Sequence, residues 1–219
     1  MDLRSLRLTA VAAVTALLVA GAAASWFGRS ADAADHLDPP ARTNVGANSD
    51  VAADLADVFI WNTATTVTIA LTGAGPSNPG LPGFYDTNLV FIVHLSNDGN
   101  PATDEATIDI RFGRDPMGKF GVQFLNIPGA TGPIVGPVQT ILTDGPVVKA
   151  VAGVFDDPFF FDAQGFNESR ATGTLSVRND RNLFGGRNDT SFVIEIPRSA
   201  IANGTMPVTI WAEARRIIP

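Results

Sequence analysis

The sequence predicts an all-β fold: an antiparallel β-sandwich with long Gly/Pro-rich loops. Three observations carry that prediction. Short runs alternate apolar with polar residues at the two-residue period that turns one strand face inward. Gly and Pro number 21 and 15 among 219 residues, and both interrupt helices. No amphipathic stretch of about 10–15 residues separates the runs, as βαβ units would require. A barrel-like variant is the nearest alternative architecture.

The chain opens differently from the rest. Arg4 and Arg7 precede Leu8 to Ala24, which is apolar apart from Thr9, Thr15 and Gly21. A charged start, an apolar stretch and small residues after it make a secretory signal. Residues 1–33 are therefore expected to be a signal peptide, cut after Ala31-Asp32-Ala33, with Ala22-Ala23-Ala24 as the other cleavage point. Left uncut, the segment 8–27 is just long enough to anchor the chain in a membrane, and only that form would touch one. Either way the domain is expected outside the cytoplasm, secreted or periplasmic.

Residues 34–50 hold Pro39-Pro40, Gly46 and several Asn and Asp, and read as an extended arm. Residues 51–219 read as one β-rich domain. Asp54 to Trp61 starts a strand, and Thr65 to Leu71 continues it as a hairpin through Asn62-Thr63-Ala64, with Val67, Ile69 and Leu71 on one face. Gly73 to Gly83 reads as a loop. Asn88 to Leu95 and Ala106 to Phe112 form the next pair. Phe120 to Leu125, Val138 to Leu142 and Val147 to Phe155 follow, punctuated by Pro128-Gly129, Gly132-Pro133 and Gly136-Pro137 turns. Pro158 to Phe166 suits a short turn or helix. Thr172 to Val177, Ser191 to Ile196 and Val208 to Trp211 complete the set.

Composition excludes several functions. The formal net charge is −7. Residues 1–33 hold three Arg and two Asp, so the processed chain has 12 cationic against 20 acidic residues, or −8. Nucleic acid is thereby excluded as a partner, since phosphate binding needs clustered Lys and Arg. The absence of Cys removes disulfides, thiolate metal sites and a cysteine nucleophile.

The first candidate site is a cage of oxygen ligands. Asp156, Asp157 and Asp162 crowd around Phe159-Phe160-Phe161, and Asp54 and Asp57 can join them from the first strand. Packed carboxylates repel unless a cation or a positive side chain offsets them. Calcium takes oxygen ligands from flexible loops, so it is the cofactor expected if there is one. The plainer reading is that these carboxylates cap turns and accept backbone hydrogen bonds. Asn97-Asp98-Gly99-Asn100, with Asp104 and Glu105, is a second acidic loop that reads as a hairpin connection or a calcium-stapled turn. His94 reads as a satisfied sheet histidine. His36 in the arm could join it on a metal only if the arm folds back. Arg170, Arg178, Arg181, Arg187 and Arg198 gather late in the chain as partners for the acids. The three adjacent Phe are expected in a turn with their rings wedged between sheet layers, or else as a surface patch for a partner or apolar ligand. Ser96 near His94 lacks a nucleophile elbow, and Gly185-Gly186-Arg187 lacks a phosphate-loop lysine.

Five segments resemble the bacterial secreted proteins of the domain-of-unknown-function family numbered 4331. Asp35-His36-Leu37-Asp38-Pro39-Pro40 is similar to that family's opening motif, with departures at several positions. The run Asp54 to Trp61 resembles its Asp-rich approach to an aromatic strand. Ala152-Gly153-Val154-Phe155-Asp156-Asp157-Pro158-Phe159-Phe160-Phe161-Asp162 carries the strongest likeness. Arg187-Asn188, then Phe192 to Pro197, and Trp211 resemble its closing strands. The resemblance implies a secreted β-rich domain and assigns no catalytic residue.

The expectation is thus an exported β-sandwich of unassigned activity that binds a partner at the envelope or outside the cell or serves a structural role, with calcium as its stabilising ion if it holds one. The alternative is a secreted metal-assisted hydrolase that uses the acidic cluster. An enzyme is the less favoured of the two, and no catalytic residue is assigned.

Overall fold

In the computed structural model, residues 50–100 and 102–217 are described. The signal peptide expected over 1–33, the arm apart from Asp50, and His36 within it lie outside the described residues. Ten strands follow: β1 Leu55–Asn62, β2 Thr66–Ser77, β3 Leu89–Ser96, β4 Ala106–Arg114, β5 Phe120–Leu125, β6 Ile134–Pro137, β7 Leu142–Asp144, β8 Val148–Asp156, β9 Asn188–Pro197 and β10 Thr209–Arg216. Among the described residues one α-helix, α1 Ala163–Thr172, stands between β8 and β9. The strands form two five-stranded sheets, ordered β1-β2-β9-β8-β7 and β10-β3-β4-β5-β6, with every pairing antiparallel. This is the predicted all-β sandwich, and the sheets do not close into a barrel.

The core is built by the alternation itself. Val67, Ile69 and Leu71 on β2 and Phe192, Ile194 and Ile196 on β9 point inward from the first sheet. Phe91 and Val93 on β3 and Ile108, Ile110 and Phe112 on β4 answer from the second. Phe192 reaches across to both strands, 4.7 Å from Phe91 and 5.7 Å from Phe112 between ring centroids. Burial at this depth contributes about 1.5–3 kcal/mol per large side chain before entropy is subtracted.

Five expectations change. β2 does not stop at Leu71 but runs to Ser77, through the stretch expected to be a loop. It persists because β9 pairs with it as far as Thr190 opposite Gly73 and again as Asn188 opposite Ser77. Of the expected strand Val138 to Leu142, residues 138–141 form a turn between β6 and β7, and Leu142 opens β7; Gly136-Pro137, expected as a turn, is strand, paired with Val122 and Gly121. Thr172 to Val177 is the end of α1 and the loop after it. Here β-branched and apolar residues alternate with no partner strand to pair them. Finally, Phe159 and Phe161 do not wedge between the sheets. They pack with Phe184 and Phe166 in a separate cluster beside α1, while Phe160 is exposed.

Among the described residues no helix is long and apolar enough to cross a membrane.

Candidate functional site: an acidic cluster at one end of a sheet

β1 begins, and β2, β8 and β9 have their cluster ends, at the same end of the first sheet. Asp54 precedes β1, and its carbonyl accepts from the Ala74 N–H at 2.9 Å. Asp57 sits where the β1–β2 register shifts between Leu55 and Val58. Its N–H donates to Thr72 Oγ1 at 3.2 Å. Asp157 follows β8 and is fixed by its own N–H, which donates to the Arg187 carbonyl at 2.8 Å. Its carboxylate accepts from the Phe159 N–H at 2.8 Å, a local turn that fits the preference of Asp for such positions. Asp189 lies on β9, opposite Phe155.

These four carboxyl groups act on one another. Asp54, Asp157 and Asp189 are buried. Burial, then the charge of Asp157 and a hydrogen bond shared with it, and then the charges of Asp57 and Asp54, push the Asp189 carboxyl up to about 8. At neutral pH the cluster therefore holds a proton, because carboxylates packed out of water cannot all ionise. Gly75 makes the approach feasible: a Cβ there would collide with Asp189 Oδ1.

Three of the five expected ligands thus converge, namely Asp54, Asp57 and Asp157, and two do not. Asp156 is exposed at the end of β8, opposite Asn188. Asp156 and Asp157 diverge because successive residues of an extended chain face opposite ways. Asp162 is buried but serves α1 as its N-cap. Its carboxylate accepts from Gly165 N–H and Arg178 N–H, each at 2.8 Å, and pairs with Arg181 at 2.8 Å. Burial pushes the Asp162 carboxyl up, but those donors outweigh it and hold it below its usual value. Its neighbour Glu168 is held low by Ser176 first, then Gln164. Capping and ion pairing, the plainer reading of the acidic residues, fit Asp162.

Asp189 is the member that sequence reasoning missed. It lies in Arg187-Asn188-Asp189, between a turn and an alternating strand, and only strand pairing carries it to Asp157. Of the late arginines, Arg181 pairs with the expected ligand Asp162 at 2.8 Å. Arg178 pairs with Asp180 at 2.6 Å and Arg187 with Asn78. Among the described residues no three His, Cys, Asp or Glu side chains already stand in an arrangement that could hold a metal ion.

The second acidic loop is a hairpin connection between β3 and β4. Asp98 Oδ1 accepts from Asn100 N–H at 2.7 Å, and Glu105 accepts from Asn97 N–H at 2.7 Å. His94 is satisfied, with Nδ1 at 2.6 Å from Asp104 and Nε2 at 3.0 Å from Glu213. Its ring stacks on Trp211, with centroids 5.0 Å apart. Comparison with protein-family models, curated proteins and solved structures finds no match.

Proposed function

We propose that this protein is an exported β-sandwich with a binding or structural role, whose acidic cluster takes up calcium in place of a proton. The observation that carries this reading is Asp189, pushed up to about 8 among Asp157, Asp57 and Asp54. A divalent cation relieves the same repulsion that the proton relieves, and hard carboxylate oxygens suit calcium. Asp54, Asp57, Asp157 and Asp189 would supply the oxygens. Export, and membership of the secreted family that the sequence resembles, belong to the same proposal.

Burial favours a closed cage over a hydrolase site. A metal-assisted hydrolase needs an open coordination position that water and substrate can reach. Asp54, Asp157 and Asp189 are instead shielded by the sheet end.

Calorimetric titration with calcium at pH 7, in two buffers of different ionisation enthalpy, tests the proposal. The expected result is 1:1 binding with release of about one proton, accompanied by a higher Tm. Asp189→Asn should remove the proton release and weaken binding. Absence of calcium binding, together with a Tm indifferent to chelator, would overturn the reading.

A further inference from the structure

Away from the acidic cluster, we infer that the groove between the end of β1, at residues 60–62, and the segment 198–208 binds a single anionic amphiphile, an apolar chain ending in a carboxylate or similar group.

The evidence begins with register. Val58 pairs with Leu71, and Ile60 with Ile69. Directly opposed strand residues share a face, and Ile69 and Leu71 point into the core. Val58 and Ile60 therefore face the space between the sheets, yet they are 40% and 47% exposed. At the Ile60 end of β1 the facing wall comes from Ile201, Met206, Pro207 and Val208, which precede β10.

Ile60 lines a groove of about 360 Å³, within the size range of small-molecule sites. Its apolar lining includes Ile60, Trp61, Val67, Ile201 and Met206. Val67 and Ile201 are core residues. The wall is rigid: Arg198 N–H donates to the Thr65 carbonyl at 2.8 Å, and Ala202 N–H donates to the Arg198 carbonyl at 2.9 Å. Among the described residues the groove carries one formal charge, Arg198, and no carboxylate. Among the described residues no acid pairs with Arg198, although most other arginines have such partners. On a chain of net charge −7, a lone guanidinium beside exposed apolar walls suits an apolar chain with an anionic end.

Calorimetry of the purified protein with dodecanoate, kept below its micelle concentration, tests this. Dodecyltrimethylammonium is the charge-reversed control, and phosphatidylglycerol vesicles are the membrane control. Saturable 1:1 binding of dodecanoate is expected, weakened roughly tenfold by Arg198→Gln and abolished by Ile60→Asp. Circular dichroism and Tm of each variant are read beside the parent, so that loss of binding is scored only on folded protein. Equal binding of the cationic control, an affinity indifferent to Arg198→Gln, or binding to vesicles without binding of free dodecanoate would each overturn the inference.

Discussion

Gly75 lies against Asp189 so closely that any side chain on it would enter the carboxyl group. The glycine on β2 and the acid on β9 are thus one packing unit. Gly75→Ala should destabilise the fold by about 1–3 kcal/mol through overpacking, read from urea denaturation. Gly113→Ala on β4 is the control. Its Cβ would meet nothing within 4 Å, so its effect should stay within about 0.5 kcal/mol.

The same carboxyl sets an unusual pH dependence. Asp189 is pushed up to about 8 from an ordinary 3.8. Between those values the folded chain holds a proton that the unfolded chain has released, so stability falls as pH rises across that window. With chelator present, Tm should decline from pH 5 to pH 8.5, and Asp189→Asn should flatten that decline. A flat profile in the parent protein would contradict the burial of this group.

Acid acts through other residues. Asp162, Glu168 and Asp86 are held below their usual values, so their contribution persists above about pH 4 and is lost as pH falls through their lowered values. Asp162→Ala removes both the α1 cap and the Arg181 partner and should lower Tm by roughly 5 °C or more. Asp162→Asn keeps a capping oxygen and should cost less. Differential scanning calorimetry at pH 6 separates the two variants.

His94 ties three pieces together: β3, which carries it, Glu213 on β10, and Asp104 in the hairpin loop. His94→Phe retains a ring to stack on Trp211 but releases both carboxylates. Amide hydrogen exchange should quicken around Asp104 and along β10, while the core strands keep their protection.

Much of the fold was legible because it rests on alternation. Val67, Ile69 and Leu71 announce an inward face, and the structure buries all three. The continuation of β2 past Gly73 was not legible, because the support comes from β9, more than a hundred residues away. Thr172 to Val177 shows the converse: strand-like residues remain a loop when no edge receives them. At the candidate site, the divergence of Asp156 from Asp157 follows from extended geometry. Asp162, by contrast, had the local signature of a cap three residues before Gly165. Asp189 had no local signature at all, since its role comes from a sheet register that places Asp156 opposite Asn188.

That register has a further consequence. Everything between β8 and β9, the helix and its phenylalanine cluster included, leaves the sheet at Asp156 and returns at Asn188, directly alongside. The Asp157 N–H and Arg187 carbonyl clasp the neck of this excursion. A segment whose two ends already touch can change length or content at little closure cost, so it is the natural graft point of the molecule. A foreign peptide spliced between Pro158 and Gly186 would be displayed on ten unaltered strands, with the carboxyl cluster still at its base.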